Sequence, residues 1–73
     1  MKAKQLCGKQ VFDVYAKLVG KVMDVELDIE KAAITAIHVK TGWMKKVSIS
    51  PKDIDRIGDK ILLKMSKDKI KKT

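Results

Sequence analysis

The segment from Met23 to Glu30 alternates strictly between apolar and acidic residues. Its apolar members are Met23, Val25, Leu27 and Ile29, and its acidic members are Asp24, Glu26, Asp28 and Glu30. Side chains of a β-strand point to opposite faces in turn, so this pattern gives one apolar and one carboxylate face only in an extended backbone. On a helix the four acids would be spread around the cylinder. The pattern therefore predicts a half-exposed β-strand.

A second extended run, residues 34–40, follows after a short polar link. It is rich in β-branched residues, which favour a pleated surface: Ile34, Thr35, Ile37 and Val39. The two runs predict a β-hairpin around which the other strands are added. Simple alternation puts Ile37 and Val39 on one face of the second strand and Ile34 and Ala36 on the other. Both faces would then be apolar, and we expect the outer one to be covered by another subunit.

Three further strands are predicted, at residues 8–14, 43–49 and 61–65. Ser50 and Pro51 suit the cap and the first position of a short helical turn that ends at Gly58. Gly20 permits a bend or a close backbone approach at the entrance to the hairpin. The sequence therefore predicts an all-β fold, a small barrel of five to six strands with one short helical turn before the last strand.

A chain of 73 residues makes one small domain. We expect residues 1–65 to form this domain and residues 66–73 to be a flexible basic tail. With one Phe, one Tyr and one Trp, the core must be built from Val, Ile, Leu and Met. A core of this size folds alone only if it is efficiently filled, so oligomerisation is an alternative.

The net charge is +8, from 17 basic and 9 acidic residues. Such a surface favours nucleic acid, anionic lipid or acidic proteins as partners, or it serves only to keep the protein solvated. Arg56 is the only arginine. Because base recognition usually relies on the planar fork of arginine, sequence-specific DNA binding is not expected. Four of the nine acids lie in the alternating segment, so the rest of the surface is more strongly cationic.

No combination of residues points to catalysis, a metal or a cofactor. Cys7 is the only cysteine, which excludes an intrachain disulfide, and we expect it to be a small apolar filler. The only histidine, His38, is expected to be structural or exposed. The acidic row is either a solvent face paired with lysines or a docking edge for a basic partner. No segment has the length of a membrane span, and the N-terminus does not resemble a signal peptide, so a cytoplasmic protein is expected.

Four sequence motifs in order resemble the PRC-barrel domain, the small β-barrel named after the photosynthetic reaction centre H subunit. They are LCGKQVFD (residues 6–13), VGKVMDV (19–25), AITAIHV (33–39) and ISPKDIDRIGD (49–59). Residues 15–18 depart from the family pattern, which turns through a glycine there, so the first hairpin is expected to differ.

The resemblance implies a non-enzymatic module that binds other proteins. Short free-standing archaeal members act as dimers in cell division, whereas a ribosome-maturation relative uses its barrel together with a further domain to engage a small-subunit ribosomal protein. We therefore expect a homodimeric adapter that binds a division-ring adapter in archaeal cells. The alternative is an RNA- or ribosome-associated module, which the lack of a second domain in this sequence makes less expected.

Two surfaces are predicted for these contacts. The partner surface consists of Trp43, Met44, Lys45 and Lys46, in which a tryptophan beside a turn anchors the contact and lysines form its rim. The alternative for Trp43 is a plug at the end of the barrel. The predicted dimer interface consists of Ile37, Val39, Ile61 and Leu63.

Overall fold

The computed structural model describes residues 3–42 and 45–70. Six strands are present in this part of the chain: β1 (Gln10–Phe12), β2 (Leu18–Asp28), β3 (Ala33–Thr41), β4 (Lys45–Ile49), β5 (Ile54–Ile57) and β6 (Ile61–Leu63). Single 3₁₀ turns lie at Ala3–Gln5, Pro51–Asp53 and Lys67–Lys69. The predicted all-β class and the short helical turn before the last strand are confirmed.

The strands form one sheet in the order β4-β3-β2-β1-β6-β5. Strands β1 to β4 are an antiparallel meander, and β6 returns to pair with β1 in parallel. Strands β4 and β5 lie at opposite edges, yet only residues 50–53 connect them. At about 3.5 Å per residue, this connection spans at most about 17 Å. The sheet is therefore strongly curled, and its two edges approach each other at this end.

The concave side of the sheet holds an aliphatic core. Its buried members are Leu6, Val11, Val19, Val22, Ile37, Val39, Val47, Ile49, Ile61 and Leu63. The four residues predicted as a dimer interface are all in this group and are 3% exposed or less. Their side chains fill the core of their own chain because the sheet curls over them. An interface made of these four residues stays a prediction, which their burial within one chain disfavours.

Two bulges set the faces of the β2–β3 hairpin. Val22 pairs with Val39 but Asp24 with His38, so Met23 is an extra residue in β2; Thr35 is an extra residue in β3. A one-residue shift moves every following side chain to the other face. Ile34 is consequently on the same face as Ile37 and packs against the core. The prediction that β3 is apolar on both faces is wrong. The outer face therefore gives no reason to expect that another subunit covers it.

The hairpin itself is confirmed, including its carboxylate face. Asp24, Glu26 and Asp28 pair with His38, Ala36 and Ala33 on the outer, convex side. On the inner side Val25 contacts the core, but towards the hairpin tip the apolar residues become exposed, with Leu27 56% and Ile29 90% exposed. The sheet is therefore filled at its base and open at the tip of the hairpin.

The chain after Ile49 differs from the prediction in three respects. Ile54–Ile57 is a strand and not a continuation of the helical turn, because it pairs with β6. Ser50 makes no side-chain cap hydrogen bond. Residues 66–70 were predicted as part of a flexible tail, but they include the 3₁₀ turn Lys67–Lys69, and Ile70 packs against the core.

Candidate binding surfaces

Three lysines on neighbouring strands form a row across the convex face. Lys21 on β2 pairs with Lys40 on β3, and Lys40 pairs with Lys46 on β4. All three are exposed, and the next residues inward on their strands are the buried Val22, Val39 and Val47. Adjacent strands lie about 4.8 Å apart, so this lysine row is about 10 Å long. Like charges directly opposite each other, as at Lys21 and Lys40, destabilise a sheet.

The lysine row continues onto β1 into a shallow depression. Gln10 pairs with Lys21, and the depression, about 510 Å³ in volume, is lined by Gln5, Cys7, Gly8, Lys9, Gln10, Lys21, Asp59 and Lys60. The Lys9 ammonium donates to the Gly58 carbonyl, and the Lys60 ammonium lies 5.2 Å from the centre of the Phe12 ring. These contacts hold two positive charges in place beside the end of the lysine row. We call this site the basic depression.

The acids of the convex face lie on the other side of the lysine row, towards the hairpin tip. Asp24, one row away, accepts a 2.8 Å hydrogen bond from the Val25 N–H. Glu26 Oε1 lies 3.3 Å from His38 Nε2. Within residues 3–42 and 45–70, neither Lys21 nor Lys40 forms a salt bridge with a carboxylate. The convex face is therefore positively charged at the lysine row and negatively charged towards the hairpin tip.

Asp13 is the one buried charged residue within the described ranges, at 2% exposed. Its Oδ1 accepts hydrogen bonds from the N–H groups of Tyr15 and Lys17, both at 2.8 Å, and its Oδ2 accepts one from the Lys67 N–H at 2.8 Å. One carboxylate thus closes the β1–β2 turn and fixes the C-terminal segment to it. Within the turn Ala16 has φ 62°, a conformation that glycine adopts more readily. An alanine thus occupies the left-handed position of this turn.

The environment of Asp13 lowers the pKa of its carboxyl group. Burial by itself raises this pKa, but hydrogen bonds from the backbone N–H groups of Lys17, Lys67 and Tyr15, together with the Lys17 charge, outweigh it. The carboxylate is therefore ionised over the whole neutral range, as a structural anion.

Two grooves flank Ile70, which lines both. The first, about 590 Å³, lies between β3, β4 and the C-terminal segment, with Met65 and Ile49 among its lining residues. The second, about 490 Å³, is lined by Val19, Thr41, Gly42, Lys45, Val47, Lys67 and Ile70. Its floor is aliphatic and two lysines stand at its rim. The C-terminal segment fixed by Asp13 thus forms a wall of both grooves.

The predicted partner surface is only partly within the described residues. Trp43 and Met44 lie outside them. Lys45 and Lys46 alternate along β4, so they lie on opposite faces of the sheet: Lys45 lines the second groove and Lys46 belongs to the lysine row. The structure does not bring these two lysines together on one surface.

The remaining sequence candidates show little chemistry. His38 is partly exposed with Glu26 as its neighbour, and Cys7 is exposed rather than a buried apolar filler. In the described ranges no three His, Cys, Asp or Glu side chains cluster as a metal site would require. No helix in those ranges has the length and apolar character to cross a bilayer.

Comparison with known families identifies the fold. The family model described as PRC-barrel domain matches residues 1–70. The chain belongs to the PRC-barrel domain family. No match was found among curated proteins. A subtype of the family, such as the predicted archaeal division type, is not identified by this match.

Among solved structures, this PRC-barrel is similar to RimM from Pseudomonas aeruginosa, described as a 16S ribosomal RNA processing protein. The TM-score is 0.73 at 16% sequence identity. The match covers 93% of this chain and 45% of the RimM chain. At this identity the similarity shows a shared fold, and the chain spans less than half the length of that relative.

Sequence reasoning missed the lysine row and the role of Asp13. The lysine row depends on how three strands pair side by side, which the residue pattern within any one strand does not show. Asp13 had a visible signal, because an aspartate at the end of a strand commonly accepts hydrogen bonds from the turn that follows. Its second partner, Lys67, is 54 residues away and had no such signal.

Proposed function

We propose that this PRC-barrel is a non-catalytic binding module that associates with RNA or with ribosomal particles. The observation on which this rests most is its fold similarity, over 93% of the chain, to a protein described as acting in 16S ribosomal RNA processing. The net charge of +8 supports it, because positive charge favours association with polyanions.

The function expected first from the sequence, a homodimeric adapter of the cell-division apparatus, has less support than this module, which was the alternative there. None of the four residues predicted to join two subunits is exposed. Homodimerisation stays a prediction, and a dimer would need exposed apolar residues such as Leu27 and Ile29. Light scattering after size exclusion measures the subunit number directly.

Sedimentation of native lysate separates these two functions. The full chain, tagged and expressed in its own host, is followed through a sucrose gradient at low salt, with and without ribonuclease. Co-sedimentation with ribosomal particles or RNA that is lost after ribonuclease treatment supports the proposal. Migration in nuclease-resistant complexes with a division-ring protein, and not with RNA, would overturn it.

A further inference from the structure

We propose that the lysine row, Lys21, Lys40 and Lys46, is a track for the phosphate backbone of an RNA strand that crosses the sheet towards the basic depression. The inference rests on the proposed function and specifies its surface. The starting point is the register itself, since three exposed lysines are opposite one another on three adjacent strands. Repulsion between Lys21 and Lys40, which lie directly opposite each other, is relieved when a polyanion binds.

The geometry favours a linear anion. The lysine row is a line about 10 Å long, and Gln10 extends it by one strand to the basic depression. A polynucleotide strand presents one phosphate charge per nucleotide along a line. The headgroups of a bilayer form a two-dimensional array, for which a line of lysines has no advantage over scattered ones.

The charges around the lysine row also favour one path of the RNA strand over the sheet. Asp24 and Glu26 lie on the hairpin-tip side of the row and repel phosphates. Lys9 and Lys60 lie at the opposite end from Lys46, and contacts with Gly58 and Phe12 hold them in position. The RNA therefore runs across the strands, from β4 towards β1, and not along the hairpin.

Contacts between lysines and phosphates do not distinguish one nucleotide sequence from another. Lysine is a flexible point charge that neutralises phosphates, and the convex face offers no arginine fork along the lysine row for base recognition. We expect binding that depends strongly on salt and little on nucleotide sequence.

The test compares two double variants with the same change in net charge. Lys21→Gln/Lys40→Gln removes charge from the lysine row, whereas Lys31→Gln/Lys52→Gln removes it from the hairpin turn and the 3₁₀ turn before β5. Binding of a fluorescein-labelled 20-nucleotide single-stranded RNA of mixed sequence is measured by anisotropy between 50 and 300 mM KCl. Thermal unfolding of each variant, followed by circular dichroism, confirms that it is folded.

We expect the lysine-row variant to lose about 20-fold in affinity at 0.1 M salt and to flatten the salt slope by about 1.4, or 0.7 for each contact removed. The control variant should lose less than about threefold with an unchanged slope. Asp24→Asn should bind RNA about threefold more tightly at low salt, because it removes a negative charge beside the row.

Three results would overturn the inference, and they differ in what they leave standing. Equal losses in both double variants would show diffuse attraction without a track, and RNA association would survive. Absence of RNA binding by the wild type at 50 mM KCl would remove the proposed function as well. Tighter binding to vesicles of phosphatidylserine and phosphatidylcholine than to RNA, with loss in the same variant, would assign the row to a membrane.

Discussion

Gly20 on β2 lies against the backbone of β3, and an alanine there has no room. Its Cβ would lie 2.2 Å from the Lys40 carbonyl oxygen, 2.9 Å from the Lys40 carbonyl carbon and 3.0 Å from Val39 Cγ1. Two of these atoms are backbone, so a side-chain rotation cannot relieve the contact. The strands would have to separate locally by about 1 Å, which takes a hydrogen bond of about 2.9 Å beyond its useful range.

The cost of Gly20→Ala follows from this displacement. Overpacking in a rigid site costs about 1–3 kcal/mol, and each weakened ladder hydrogen bond adds about 0.5–1.5 kcal/mol. We expect a loss of about 3 kcal/mol from a total of roughly 4–11 kcal/mol for a chain of this length. At about 4–8 °C per kcal/mol, Tm should fall by at least about 12 °C.

Thermal and urea unfolding of Gly20→Ala, followed by circular dichroism, measure this loss. The matched control is Gly58→Ala, because a Cβ at Gly58 meets no atom within 4 Å and the backbone there is not left-handed. The control should stay within about 0.5 kcal/mol of the wild type. If Gly20→Ala melts within about 4 °C of the wild type, or falls no further than Gly58→Ala, the close approach does not constrain the sheet.

Three further predictions concern the turn, the core and pH. Asp13→Asn should lower Tm at pH 7 and flatten the dependence of Tm on pH. The lowered pKa of Asp13 gives stability that is present above the unfolded pKa of about 3.9 and is lost as pH falls through the folded pKa. Equal slopes of Tm against pH in the two proteins between pH 2 and 5 would contradict this. Ala16→Gly should stabilise the protein by about 0.5–1 kcal/mol, since relief of the left-handed alanine exceeds the entropy cost of glycine, whereas Ala33→Gly in β3 should destabilise it; a urea midpoint for Ala16→Gly below that of the wild type would contradict this. Ile61→Ala should cost about 2–5 kcal/mol, because this side chain is 1% exposed in the core; a variant that forms dimers less readily but keeps its Tm would instead return Ile61 to the interface.

Local patterns predicted the hairpin because they act over a few residues. Alternation in residues 23–30 favours an extended backbone wherever the segment lies in the fold, and β2 covers residues 23–28 of it, whereas Ile29 and Glu30 lie in the hairpin turn. Gly20 was also predictable in part, since a glycine within a strand marks a bend or a close approach. What the pattern did not give was the atom approached, the Lys40 carbonyl, because that depends on which residue of β3 lies alongside.

The errors have a common cause in long-range pairing. Ile54 and Ile57 have helical spacing, yet they lie in a strand because this segment pairs with β6. Ile70 belongs to a lysine-rich segment whose composition predicts a solvent-exposed tail. The Lys67 N–H, however, donates a hydrogen bond to the Asp13 carboxylate, and Ile70 packs against the core. In both cases a partner distant in sequence decides the local conformation, and tertiary context outweighs propensity.

The bulge at Met23 connects the core to the candidate RNA surface. If the strands paired regularly beyond Val22 and Val39, with Met23 not bulged, Met23 would lie opposite His38 and Asp24 opposite Ile37, and the carboxylate would be directed at the core. The bulge returns Asp24, Glu26 and Asp28 to the convex face while Lys21 and Lys40 stay on it. Because of the bulge, the core-facing residues of β2 are apolar both before it, at Val22, and after it, at Val25. The bulge also brings a row of acids next to a row of lysines, which is why the convex face has a charged boundary that a bound polyanion would follow.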